Sequence, residues 1–298
     1  MNDDAGIVKR RVLVVGATGQ QGGAAARHLK ARGWRVRALT HDLSSPKAVA
    51  LTRAGFEVVQ GDLDDRPSLE GVQGVFSVQP WEGTEAGIED QIRQGKALAD
   101  AVAAAKIGHL VHSSVDGAER GSGIPHFENQ FVVEEHIHAL GLPATILRPV
   151  FFMENFYMSF APTIASGVVG MNMRPEIPVQ IIAVDDIGAI AAVAFEDPDL
   201  IGQSLPIAGD ELTMTQVAQE LSRVLGRPIR YQDYGDLESE DFLSREFRVM
   251  FDWYHHHGYR ADIAATRALH PGLLTLGAWL GASGFGQVPA GTGQAGQP

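Results

Sequence analysis

Apolar residues along this chain fall in short unbroken runs, separated by longer Ala-rich segments of helical periodicity. Arg11-Val-Leu-Val-Val15 is one such run, ending at Gly16, as expected of a strand buried on both faces. Gly22 to Arg32 follows with Ala24, Ala25, His28 and Leu29 along one side, and Gly33 stops it. The alternation then predicts strand Trp34–Thr40, helix Pro46–Ala54 and strands Phe56–Gln60 and Gly74–Val78. A long helix from about Glu85 to Lys106 leads to strand His109–Ser113, helix Phe127–Leu140 and strand Ala144–Arg148. Strands spaced by helices of roughly 10–20 residues make βαβ units, hence an α/β protein with a parallel, right-handed, doubly wound sheet.

The rhythm breaks after Pro149. Residues 151–160 carry Phe151, Phe152, Met153, Phe156, Tyr157, Met158 and Phe160, too aromatic for an exposed loop. Ile181–Val184 and the following Asp185-Asp186-Ile187-Gly188 predict one more strand and helix returning to the sheet. Thr213 fits the N-cap of a helix through Leu225, flanked by strands Ser204–Ala208 and Pro228–Gln232. The stretch from Leu237 to about Leu280 is expected to be mostly helical. The expected organisation is therefore a nucleotide-binding unit of residues 1–155 plus about 180–200. A smaller α+β unit of about 156–179 and 201–285 completes it, with a disordered tail at 286–298.

Directly after the first strand stands Gly16-Ala17-Thr18-Gly19-Gln20-Gln21-Gly22-Gly23, and a helix opens at once. Strand, glycine turn and helix in that order let backbone amides approach a pyrophosphate at a helix N-terminus, with a flexible loop as the plain alternative. Gly16, Thr18, Gly19, Gln20, Gln21 and Gly22 are the expected cradle of a dinucleotide. The spacing is Gly-x-x-Gly-x-x-Gly.

The 298 residues carry a formal net charge of −12, which argues against binding driven by nucleic-acid phosphates. There are no cysteines, so disulfides, thiolate metal sites and a thiol nucleophile are excluded. No apolar run is long enough for a membrane span and the N-terminus is acidic, so a cytoplasmic protein is expected. His255-His256-His257 suggests a metal, but three adjacent side chains diverge on a helix or strand, and no metal is expected.

The glycine turn, together with Gly61-Asp62-Leu63-Asp64-Asp65, Gln94-Gly95-Lys96, His126-Phe127, Arg148-Pro149, Glu154-Asn155-Phe156 and Val184-Asp185-Asp186-Ile187-Gly188, resembles the NmrA-like family of atypical short-chain dehydrogenases/reductases. The resemblance runs from about residue 11 to 280. It implies a Rossmann domain holding an extended nicotinamide dinucleotide across the carboxyl ends of the strands. By that resemblance Asp62 and Leu63 lie near the adenine, Gln79 and Pro80 near the middle of the cofactor and Phe151 near the nicotinamide. The plain alternatives are a turn residue for Asp62 and simple core for Phe151 and Phe152.

Many relatives place Thr-Arg at the end of the second strand, where the Arg reads a 2′-phosphate. Here the residues are Thr40-His41-Asp42. A largely neutral ring replaces a fixed cation, and Asp42 accepts from a ribose diol and repels phosphate, which points to NAD ahead of NADP. The alternative is that His41 and Asp42 are solvated turn residues. The wider superfamily uses Tyr-x-x-x-Lys on the helix after the fifth strand, whereas this chain reads His126-Phe-Glu-Asn-Gln130. Gln130 still hydrogen-bonds a ribose hydroxyl but supplies no charge to a neighbour. His126 is the expected replacement proton donor, against the plain reading of a helix-start residue in a loop. Ser113 and Ser114 stand where the superfamily orients a substrate carbonyl, or else they cap a turn.

The resulting expectation is an NAD(P)-binding oxidoreductase for a bulky aromatic or quinone-like molecule, carrying out a reduction or oxygenation that tailors an aromatic polyketide or other secondary metabolite. Trp81, His126, Phe152, Asn155, Trp253 and Tyr254 are assigned to the substrate side. The competing expectation is a non-catalytic redox sensor that binds NAD(P) and a protein partner. Homo-oligomerisation is left open.

Overall fold

The computed structural model describes residues 10–63, 69–235 and 241–285. Asp64, Asp65, residues 237–240 and the tail 286–298, all of which figure in the sequence reading, lie outside them. Seven strands form one parallel sheet: β1 (Arg11–Val14), β2 (Arg35–Thr40), β3 (Glu57–Gln60), β4 (Gly74–Ser77), β5 (His109–Ser113), β6 (Ala144–Pro149) and β10 (Ser204–Ile207). Their order across the sheet is β10-β6-β5-β4-β1-β2-β3. The chain leaves β1 toward β2 and β3, then crosses back to β4 on the other side. The carboxyl ends of β1 and β4 therefore flank the point where the winding reverses, which is where doubly wound sheets leave a crevice for ligands.

Alternate residues of the central strand serve the two faces. Val12 and Val14 pack under α1 (Gln20–Ala31) and α7 (Val184–Ala194), while Leu13 and Val15 share a core with α3 (Glu85–Ala104) and α4 (Pro125–Ala139). α2 (Pro46–Arg53) joins β2 to β3 and starts on a Ser45 cap. The α1–α7 contact needs glycine: a Cβ on Gly188 would sit 2.5 Å from the backbone of Ala24.

The smaller unit contains a three-stranded sheet of β7 (Phe151–Phe152), β9 (Pro178–Ile182) and β11 (Asp210–Thr213), and a pair of β8 (Val168–Met171) with β12 (Arg230–Asp233). Helices α5 (Glu154–Met158), α6 (Ala161–Ala165), α8 (Met214–Leu225), α9 (Phe242–His256), α10 (Ile263–Leu269) and α11 (Leu276–Ala282) complete it. Thr213 caps α8 as expected, in a reciprocal box with Gln216.

Two expectations are corrected here. The strand before Asp185 does not return to the main sheet; β9 pairs with β11 and β7, and only α7 packs back. The seventh main strand is instead β10, which lies parallel to β6, so residues 204–207 belong to the larger unit. A short apolar strand carries no mark of which sheet edge will receive it, because register is set by distant partners.

Candidate active site

The crevice begins at the glycine turn. Gly16 holds a left-handed φ of 67°, and a Cβ on Gly22 would lie 2.3 Å from the Gly16 carbonyl oxygen and 2.7 Å from that of Val15. Only bare backbone fits there. Gly19 is the N-cap of α1 and no side chain caps it, so the amides of Gln20, Gln21 and Gly22 open the helix toward the crevice. A twelve-residue helix whose first amides are uncapped, opening on a turn that is bare backbone at Gly16, Gly19 and Gly22, fits a pyrophosphate. The helix starts at Gln20, two residues before the expected Gly22.

Beside this cradle lies a buried polar belt. Ser77 Oγ accepts a hydrogen bond from Gln79 Nε2 at 3.0 Å and lies 3.1 Å from Nδ1 of His112. Burial pushes the His112 imidazolium down to about 4, so its ring is neutral at pH 7. The Gln130 side chain stands beside the same ring, although Gln130 Oε1 and His112 Nε2 complete no hydrogen bond of ordinary geometry among the described residues. Gln79 is buried and Pro80 exposed at the end of β4.

Farther out, His126 is the second residue of α4, not part of a loop. Its Nδ1 lies 2.6 Å from Glu246 Oε1 in α9, and its backbone N–H donates to the same oxygen at 3.0 Å. The His126 side chain keeps 22% exposure against 1% for Glu246. Its Nε2 has no hydrogen bond among the described residues. The ring of Trp81 lies 5.8 Å away and that of Phe247 6.5 Å from Trp81, both half-buried. Glu246 escaped the sequence reading. Its signal was a lone carboxylate on the apolar stripe Phe242, Phe247, Met250, Trp253, Tyr254 of α9.

The profile of the NmrA-like family matches residues 8–280, nearly the whole chain. The chain belongs to the NmrA-like family. A Streptomyces griseus relative, (4-alkanoyl-5-oxo-2,5-dihydrofuran-3-yl)methyl phosphate reductase, is 34% identical over 75% of this chain and 77% of its own. The NAD(P)H azoreductase of Xenophilus azovorans is 33% identical, covering 74% and 76%. Among solved structures, the Citrobacter sp. triphenylmethane reductase complexed with NADP(H) shares the fold with a TM-score of 0.76. It is 20% identical and covers 91% of this chain and 98% of its own.

Several expected site residues take other places in this family member. Ser113 is buried and donates to Gln21 Oε1 at 2.6 Å, and Ser114 donates to Glu134. Both hydroxyl protons are therefore committed to the protein, and the expected carbonyl-orienting serine instead ties β5 to α1. Trp253 and Tyr254, expected on a pocket wall, are 4% and 5% exposed. Trp253 stacks on Arg120 and packs edge-on to Phe127, while Tyr254 shares a 2.6 Å hydroxyl pair with Tyr259. Burial raises both tyrosines well above their ordinary range, so neither gives up a proton near neutrality. Met153, Met171, Met173 and Met250 are likewise core.

Phe151 and Phe152 are half-buried in β7 at the carboxyl side of β6, and Asn155 is half-buried in α5. Asp62 is exposed after β3, whereas the Leu63 side chain packs into the core beneath the sheet. His41 is exposed. Asp42 accepts from both the amide and the hydroxyl of Ser44, at 2.8 and 2.6 Å, and these bonds hold its carboxyl below the usual range. Arg148, of the Arg-Pro motif, pairs with buried Glu134 at 2.6 and 3.1 Å and joins α4 to β6. Among the described residues no group of His, Asp or Glu is arranged to hold a metal ion, and no helix is long and apolar enough to cross a membrane.

Proposed function

We propose that the protein is an NAD(P)H-dependent reductase of a flat aromatic or quinone-like carbonyl compound. Gly16, Thr18, Gly19, Gln20, Gln21 and Gly22 would hold the pyrophosphate, and Gln79 and Gln130 would face the nicotinamide half. A bound nicotinamide dinucleotide supplies a hydride, that is, two electrons and one proton. His126 holds a second proton at Nε2 and delivers it to the carbonyl oxygen as the C=O electron pair settles there, leaving a hydroxyl group. Trp81 and Phe247, tilted by 40° to each other, give the substrate ring a half-buried aromatic wall beside His126. The observation that carries the reading is His126, fixed at one nitrogen and open at the other, at the start of α4, which follows the carboxyl end of β5 as the glycine turn follows that of β1.

Reduction is favoured over oxygenation because the reductase-named relatives and a proton-bearing imidazole both fit it. A place in aromatic polyketide tailoring is part of the same proposal and rests on the aromatic wall alone. NAD is preferred over NADP, since Asp42 stays ionised and His41 brings no fixed cation. Calorimetry with NAD, NADH, NADP and NADPH, followed by NADH absorbance with a panel of quinones and polycyclic phenols, tests this. Turnover lost in His126→Asn supports it. No turnover, together with an affinity difference of about tenfold between redox states, would favour the sensor instead.

A further inference from the structure

We infer that Glu246 is the positioning residue of this site: it fixes the tautomer and the direction of His126, so that Nε2 alone faces the substrate. The inference rests on the proposed role of His126 as proton donor. Three observations carry it. One oxygen of Glu246 receives both the His126 backbone N–H and the ring nitrogen Nδ1, at 3.0 and 2.6 Å, so main chain and side chain are gripped at a single point. The carboxylate is 1% exposed, and its other oxygen has no hydrogen-bond partner among the described residues. A buried carboxylate left half-satisfied is costly unless it serves a charge, and the ring beside it is the group able to carry one. Finally, Glu246 and His126 lie 120 residues apart, on α9 and α4, so the contact also seats the smaller unit against the larger.

The chemistry follows from which nitrogen is held. A neutral imidazole bears one proton, and the nitrogen that keeps it is set by the bond the other ring atom makes. With Nδ1–H donated to Glu246, Nε2 carries a lone pair. On protonation Nε2–H becomes the deliverable proton while the carboxylate balances the imidazolium. After delivery the ring is already in the tautomer that Glu246 accepts, so no ring flip is needed. Protons balance: one leaves Nε2 for the substrate oxygen, and one from solvent restores it.

The test uses the full chain with ¹⁵N-labelled histidine, the His126 signals being assigned by their loss in His126→Asn. The ring should carry its proton on Nδ1 in the cofactor-free protein. Glu246→Gln, whose carbonyl still accepts from Nδ1, should retain that tautomer. Glu246→Leu should shift it toward Nε2–H while the fold, followed by thermal melting, persists. With NADH and 1,4-naphthoquinone, Glu246→Leu should lower kcat by about 100-fold with the KM for NADH unchanged, and Glu246→Gln should recover most of it. A Glu246→Leu protein that keeps Nδ1–H overturns the inference whether or not turnover is detected. A normal kcat in Glu246→Leu, with His126→Asn inactive, overturns it while leaving His126 in place. Full activity in His126→Asn removes the proton donor and Glu246 with it.

Discussion

The neutral histidine under the crevice makes a quantitative demand on stability. His112 is fully buried, and its imidazolium is pushed from 6.5 to about 4. His109, in the same strand and bonded to Thr145 at 2.9 Å, is shifted to about 4 by the same desolvation. Because the folded-state values are depressed, the unfolded chain takes up these protons first. Stability is complete above 6.5 and is lost as pH falls from there toward 4. Over that window each histidine removes roughly 1.4 kcal/mol per pH unit, or about 2 kcal/mol between pH 7 and pH 5. Replacing His112 with Asn keeps an acceptor for the Ser77 hydroxyl and removes the titrating group. Urea unfolding at pH 7, 6 and 5 should then show the wild type losing about 2 kcal/mol more than the variant across the range. Asp116, Glu154 and Asp186, whose carboxyls are raised by burial and act in the opposite sense, are common to both proteins and cancel. Parallel pH dependences in the two proteins would refute a buried neutral His112.

Other outcomes follow from the same geometry. Gly22→Ala drives a methyl to 2.3 Å from the Gly16 carbonyl, so NADH affinity measured by calorimetry should fall by at least about tenfold; unchanged binding would place the cofactor elsewhere. His41→Arg should raise NADPH affinity relative to NADH, read by the same titration, and an unchanged ratio would remove this position from cofactor choice. Tyr254→Phe should cost about 1–3 kcal/mol of stability by orphaning the Tyr259 hydroxyl, yet leave cofactor binding as it was. Glu134→Gln breaks a buried ion pair with Arg148 and should destabilise the fold by about 3–5 kcal/mol in chemical denaturation.

The chain by itself determined whatever depends on near neighbours. Val12 to Val15 could only be a strand covered on both sides, Thr213 with Gln216 wrote its own helix start, and the glycines of the first turn marked where side chains are forbidden. Those signals survive because caps, turns and periodicity act over a few residues. Tertiary structure decided the rest. It sent β10 rather than β9 to the edge of the main sheet, and it sank Trp253 and Tyr254 behind Phe127, while Trp81 and Phe247 became the half-buried aromatics around His126. It also committed the Ser113 hydroxyl to Gln21 and brought Glu246 to His126 from another element. An aromatic stripe on a helix says that one face will be covered. Which residues cover it, and which carboxylate is left to meet a histidine there, is set only when distant segments pack.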